Sequence, residues 1–409
     1  MDPALKQIKR LCKRSKSYMD ELKVQVNIGG IRLQLYNAGK KGGEVRFGLF
    51  ARDLFITSFM LQDAKLLKET IKFALLTQGK KRDPITGEEP YRVIHEFDEV
   101  EIRGLKTRYN AAETAQLLLI GLDLYYKMTE DREFLRSQGE NISNTIGYIL
   151  SHLKDGIFWE DPIFCGCRAR HYALKATYWK DSGLPGREDP YYPVAYTLVQ
   201  AQTASALRGA AELAESFDLG YSPKELEKVA KKVAEGIFTK LWDNDLNYPL
   251  IAKDQKGLIC GISSDGLHML AYLRKEDISQ AKLERICKAA QALETPYGYR
   301  TYAPRQLGYA PNSYHLGSIW PFEQFFIAKG ALIHGREEIL EKSLKIIKAL
   351  EKFGFPELFY WDNQSGYGLR PSNKDSPKGT NFGGCDLQLW SAAYPQGISS
   401  LLNIGGRYG

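Results

Sequence analysis

Helical hydrophobic periodicity runs through almost all of this 409-residue chain, and it comes in two alternating kinds. The runs at 132–153, 222–241 and 338–353 carry Lys and Glu on one face and aliphatics on the other, the pattern of half-wet outer helices. The runs at 111–127, 194–214 and 386–402 are rich in Ala, Leu, Gln and Ser with few charges, as buried inner helices are. Further helical runs lie at 53–60, 65–76, 279–293 and 315–333, with two more at 3–22 and 262–273. Inner helices alternating with outer ones, with long loops after some of them, predict a closed ring of helical hairpins. Strand signals are sparse: Val24 to Ile28 and Ile31 to Leu35, separated by Gly29-Gly30, read as a small N-terminal β-hairpin. No composition shift or Ser/Pro linker interrupts the chain. One domain over 1–409 is therefore predicted, with a helix and hairpin in residues 1–45 leading into it.

Composition removes several function classes. No apolar run reaches the ~18 residues a membrane span needs. The first segment is basic with no apolar stretch behind it, so it is not a secretory signal, and a cytoplasmic location is expected. The net charge of +7 sits largely in that segment and in patches such as Gly39-Lys40-Lys41-Gly42 and Gly79-Lys80-Lys81-Arg82. No zinc-finger spacing, RNP-like strand or P-loop accompanies it, so a solvated basic face is expected rather than nucleic-acid binding. The six cysteines and six histidines are scattered. Cys165-Gly166-Cys167 is too tight for the usual CxxC pair, so neither a metal site nor a cofactor is expected.

The chemistry collects in four aromatic, Gly/Pro-rich loops: GGEVRFGLFARD, YWKDSGLPGREDPYYP, ETPYGYRTYAPRQLGYAPNSYHLGSIWPF and FPELFYWDNQSGYGLRPSNKD. Loops this long in a compact domain are usually functional, although large rings also pin loops to a rim. Aromatic faces stack on the apolar face of a pyranose while carboxylates bond its hydroxyls. Two loop carboxylates stand out among these rings: Asp181 after Tyr178-Trp179-Lys180, and Glu357 in Phe355-Pro356-Glu357-Leu358-Phe359. One carboxyl to protonate a leaving oxygen and one to deprotonate water are what glycosidic hydrolysis requires. Either acid alone reads equally as a cap or a solvated loop residue. Asp53 likewise reads as a helix cap or, with Arg52, as a donor and acceptor pair for sugar hydroxyls.

These blocks, in order over roughly 45–405, resemble the catalytic part of amylo-α-1,6-glucosidase and glycogen-debranching-type proteins, a branch of the six-hairpin glycosidases. The resemblance is carried by FGLFARDLFIT, VIHE at 93–96, YNAAETAQLLLIGLDLYYKMTED, YWKDS with the following VQAQTASALRGAAELA, ISSDGLHML at 262–270, YGYRTYAPRQLGYAPNSYHLGSIWPF, PELF at 356–359 and GCDLQLWSAA at 384–393. It implies an all-α (α/α)6 toroid that hydrolyses an α-linked glucoside with inversion, Asp181 acting as general acid and Glu357 as general base. It further implies that Arg52, Asp53, Trp179, His315 and Trp320 line the sugar subsite, joined by Lys180. His95, Glu96 and Glu113 are expected at its edge. Inversion sets the two carboxyls ~6.5–9.5 Å apart. The chain departs from the family at Glu113, where Asp is usual, and at Leu198, where an acid often stands. A same-fold phosphorylase or isomerase, an epimerase using a pair among His95, His268 and His315, and a non-catalytic carbohydrate-binding paralogue are the alternatives. The sequence does not give the oligomeric state.

Overall fold

The computed structural model describes residues 3–363, 368–373, 376–377, 380 and 384–404. Fourteen α-helices lie among the described residues. They are α1 (Pro3–Asp20), α2 (Ala51–Leu61), α3 (Ala64–Leu76), α4 (Thr114–Thr129), α5 (Arg132–Ser137), α6 (Gly139–Ser151), α7 (Thr197–Ser216) and α8 (Pro223–Lys240), then α9 (Asp265–His268), α10 (Gln280–Ala290), α11 (Pro321–His334), α12 (Glu337–Ser343), α13 (Ile346–Phe353) and α14 (Leu389–Ile404). Six of them form an inner ring through successive contacts: α2 on α4, α4 on α7, α7 on α9, α9 on α11, α11 on α14, and α14 back on α2. The remaining helices pack outside it: α3 on α2 and α4, α6 on α4 and α7, α8 on α7, α10 on α9, α12 on α11, and α1 on α13 and α14. This is the (α/α)6 toroid.

Composition explains the two layers. The inner α7 buries nearly every residue from Thr197 to Ala211, and α11 buries Pro321 to Ala328, so neither has a wet face. The outer α8 buries only Leu226, Ala230, Val233, Ala234, Gly236, Ile237 and Phe238, a stripe at helical spacing, and leaves its lysines and glutamates to solvent. The main apolar core runs from Ile8 to Ile398, with a small second cluster of Ile157, Ala195, Leu241 and Leu250 beside it. Among the described residues no helix is long and apolar enough to cross a membrane.

Strands serve the loops. The expected hairpin forms as β1 (Lys23–Ile28) and β2 (Ile31–Tyr36), with Gly29 and Gly30 both at positive φ, 59° and 85°. A second hairpin, β3 (Gly39–Lys41) and β4 (Glu44–Phe47), was not expected from sequence. It pairs with the strand Leu387–Gln388 and so joins the two ends of the toroid.

Three helix expectations are corrected. The run expected from 315 begins only at Pro321, because proline sits at the first helical position and Trp320 before it is extended. The run at 132–153 divides into α5 and α6 at Gln138-Gly139, where a glycine weakens the helix. The run at 338–353 divides after Ser343, whose hydroxyl donates back to the Leu340 carbonyl at 2.7 Å and competes with the helix ladder.

Candidate active site

Asp181 follows three side chains that all turn inward. Tyr178, Trp179 and Lys180 are 1%, 5% and 2% exposed, and each bonds Asp265 at the start of α9. The Asp181 side chain keeps a quarter of its surface accessible. Arg52 reaches its Oδ2 at 3.5 Å, a long contact. Burial pushes the Asp181 carboxyl up to about 6, against the pull of the Arg52 guanidinium.

Glu357 lies between α13 and α14, far from Asp181 in sequence, but shares this neighbourhood. It is 2% exposed, and both of its oxygens accept hydrogen bonds, Oε1 from the Tyr314 hydroxyl and Oε2 from the Cys385 N–H at 2.8 Å. The peptide of Glu357 also donates to the Cys385 carbonyl at 3.0 Å. Gly384 makes this approach possible, since a Cβ there would stand 2.8 Å from Glu357 Oε2 and 2.9 Å from Ser372 Cβ. Burial pushes Glu357 up to about 7, the Tyr314 and Cys385 bonds pull it down, and the Asp181 charge raises it further. The two acids therefore feel each other.

Between them sits the start of α2. Asp53 is not the cap of that helix: Phe50 occupies the cap position without a side-chain bond, and Asp53 lies inside the first turn. Its Oδ1 accepts from Gln388 Nε2 at 3.0 Å. Burial pushes Asp53 up to about 8; Arg52 opposes this, while Glu357 and Asp181 add to it. Arg52 donates through Nε to Glu113 Oε1, so the residue standing where Asp is usual does reach the site. Arg52 Nη2 and Glu113 Oε2 are buried with no partner among the described residues. Glu96, 6% exposed, is lifted to about 7 by burial and by the Asp181 charge. His95 faces the Asn110 carbonyl through Nδ1 at 3.1 Å, so that nitrogen carries the proton. Burial and the Arg52 and Arg92 charges hold its pKa well below the usual histidine value.

The aromatic wall is continuous. Trp179 meets His315, Trp320 and Phe322 edge-on at 5.5, 5.7 and 5.2 Å, and His315 stacks on Trp320 at 5.1 Å. His315 Nδ1 accepts from Ser182 N–H at 3.3 Å and faces Ser182 Oγ at 2.8 Å, which leaves the proton on Nε2. Burial and the Lys180 and Arg52 charges keep this imidazole neutral. His268 lies behind Trp179, 6.2 Å ring to ring, and 3.8 Å from Glu323 in the core.

Ten of the eleven expected residues thus converge, directly or through one neighbour. Lys180 is the correction. Its ammonium already faces Ser263 Oγ, Ser264 Oγ, the Thr301 carbonyl and Asp265 Oδ2 at 2.7–3.1 Å, so its three N–H groups are spent on protein. Sequence reasoning passed over Tyr314, Asp265, Gln388 and the Gly384-Cys385 peptide. All lie inside the quoted blocks, but nothing in their residue types distinguishes them from packing positions.

A helical toroid whose loops gather acids inside an aromatic wall is an architecture that suits a glycoside hydrolase. The sequence profile of the mannosylglycerate hydrolase MGH1-like glycoside hydrolase domain matches residues 55–383, and the chain belongs to that family. The chain is 27% identical over 214 residues to a mannosylglycerate hydrolase of Rubrobacter radiotolerans; the match covers 51% of this chain and 44% of that protein, under half its length. Among solved structures, the GH63 mannosylglycerate hydrolase of Thermus thermophilus in complex with Tris superposes with a TM-score of 0.64 at 14% identity, over 95% of this chain and 100% of that one. A rhamnosidase from Klebsiella oxytoca with rhamnose bound gives 0.61 at 12% identity, over 98% of this chain and 64% of the other. At such identities the superpositions speak for the fold. The expected six-hairpin class is thus met, and the family within it is the mannosylglycerate hydrolase-like one. None of these matches carries a debranching specificity.

Proposed function

We propose that this domain hydrolyses, with inversion, an α-linked hexoside of a small carboxylic acid such as glycerate, with Asp181 as general acid and Glu357 as general base. The observation that carries the reading is the unequal hydrogen bonding of the two buried carboxyls. Both Glu357 oxygens accept from donors, so protonating it would break one of those bonds, and its ionised form fits a base that takes a proton from water. Among the side chains of the described residues, Asp181 meets Arg52 alone, through a long contact to Oδ2, and the carboxyl is able to carry the proton delivered to the leaving oxygen. The unpartnered Arg52 Nη2 and Glu113 Oε2, with Asp53, suit glycone hydroxyls, and Trp179 and Trp320 give the sugar its apolar walls.

The glycone is mannose or glucose. The Rubrobacter and Thermus relatives are mannosylglycerate hydrolases, and the Thermus enzyme has been solved with glucose and with D-glycerate. The α-glucoside expected from sequence therefore stays within the proposal; an α-1,6 branch point is its outer member. The deciding experiment offers α-mannosylglycerate, α-glucosylglycerate and an α-1,6-branched dextrin, and follows the released sugar by NMR. First appearance of the β-anomer from a glycerate conjugate is expected. Initial α-anomer overturns inversion, release dependent on inorganic phosphate overturns hydrolysis, and turnover of the dextrin alone overturns the carboxylic-acid aglycone.

A further inference from the structure

Three consecutive side chains immediately before the candidate acid converge on one buried carboxylate. Tyr178 Oη donates to Asp265 Oδ2 at 3.3 Å, Trp179 Nε1 donates to Oδ1 at 2.9 Å, and Lys180 Nζ stands 3.1 Å from Oδ2. The Ser263 hydroxyl adds a fourth donor to Oδ2 at 2.9 Å. Asp265 is 2% exposed and lies 87 positions beyond Tyr178 in the chain. Successive residues of a regular strand point to opposite sides, whereas Thr177 to Trp179 form a run of bends that can bring neighbouring side chains to one group. Three in a row reaching one group therefore fix both the path and the twist of the backbone, and with it the direction in which the fourth side chain leaves. The fourth is Asp181, which has no comparable anchor of its own.

We propose that Asp265 is the positioning residue of the proton-donating step: by clamping Tyr178, Trp179 and Lys180 it aims Asp181 at the glycosidic oxygen. This rests on the assignment of Asp181 as general acid, and deepens it. Asp265 itself does not touch the substrate. Lys180 neutralises it, Ser263 and Ser264 complete the ammonium shell, and Trp179 is locked by the same carboxylate against Trp320. A clamp of this kind affects proton delivery more than sugar binding, because the Arg52, Asp53 and Glu113 group is carried by other elements.

The test compares leaving groups. An α-hexosyl glycerate needs a proton on its departing alkoxide, whereas the 2,4-dinitrophenyl glycoside of the same sugar departs without one. Asp265→Asn keeps the size of the side chain and an acceptor for Trp179 but loses the pair with Lys180. It is expected to lower kcat on the glycerate conjugate roughly tenfold to hundredfold, with KM little changed and with the dinitrophenyl substrate within about threefold of wild type. Equal losses on both substrates would mean a merely structural role and overturn the clamp. Tyr178→Phe removes one of the four bonds without changing charge, and stands in if Asp265→Asn does not fold; it should show the same selectivity, more weakly, and a loss equal on both substrates overturns the proposal. Asp181→Asn, run in parallel, separates the two readings. If it too spares the dinitrophenyl glycoside, the acid assignment stands whatever Asp265 does. If it strikes both substrates alike, the acid assignment fails and takes the clamp with it. A wild-type chain that cleaves neither substrate ends both.

Discussion

On one side of the site Asp181 hangs from a loop whose three preceding side chains are fastened to Asp265, while its own carboxyl is left with a 3.5 Å contact to Arg52. On the other side Glu357 is gripped directly, by the Tyr314 hydroxyl and the Cys385 N–H. On the proposed roles, the acid side fixes the backbone and leaves the reacting group adjustable, and the base side fixes the reacting group. This suits their tasks. A donor must follow an oxygen that moves as the bond breaks, and must exist in a protonated form that a ring of donors would oppose. A base must hold one water on line, and donors that favour its ionised form help it do so.

Removing the reacting groups breaks the comparison outright. Asp181→Asn and Glu357→Gln are each expected to lower kcat on a glycerate conjugate about 10²–10⁴-fold with the fold retained, as a circular dichroism melt would check. Wild-type-like turnover in either variant would remove that residue from its role. The base side is more sensitive to backbone crowding than the acid side. Gly384→Ala would push a methyl to 2.8 Å from Glu357 Oε2 and 2.9 Å from Ser372 Cβ, so the carboxylate has to shift. A loss of about tenfold to hundredfold in kcat is expected, and an unchanged kcat would show that Glu357 is not held where it must act.

The pH profile sharpens the contrast. The proposed roles need Glu357, at about 7, ionised and Asp181, at about 6, protonated, so the productive state is a minority form of the free enzyme. The profile of kcat/KM should be a narrow bell peaking between those values. Tyr314→Phe removes a bond that favours ionised Glu357, which raises its pKa. Because the productive form is the minority one, the alkaline limb of the bell should move up by about one pH unit while the acidic limb, set by Asp181, stays in place, with a several-fold loss at the optimum. A downward movement, or none, would mean that the phenol does not act on the base.

How much of this was legible in sequence differs between the two sides for the same physical reason. Helix existence was readable from periodicity, and even the Gly29-Gly30 hairpin was, because burial and turn conformation are local demands. Helix ends were less so: Pro321 marks the start of α11, yet the apolar pattern before it continues into a loop. Asp181 and Glu357 were singled out through their aromatic neighbours, and they do come into one neighbourhood. Lys180 was misjudged because its partners, Ser263, Ser264 and Thr301, are supplied by a distant segment. The hairpin of β3 and β4 was missed for a related reason, since its third strand, Leu387–Gln388, comes from the other end of the chain. Contacts fixed by tertiary closure leave no periodic trace.

Asp53 lies where the fields of the two sides meet, and its titration measures them together. Burial lifts its carboxyl to about 8, and the charges of Glu357 and then Asp181 add to that lift. In the unfolded chain an aspartate titrates near ~3.9. Between about pH 4 and 8 the folded protein therefore retains a proton that the unfolded chain has released. The stability this group contributes is fully present below about pH 4 and is lost as pH rises through about 8. Asp53→Asn carries no ionisable proton, and its amide oxygen can still accept from Gln388 Nε2. The variant and the wild type should melt alike near pH 4, while near pH 8 the variant should melt a few degrees higher, with Glu96, Glu357 and Asp181 leaving a residual slope of the same sign. If the two melting curves stay parallel across that range, Asp53 is ionised in the folded protein, and the electrostatic meeting of the two sides at α2 is not there.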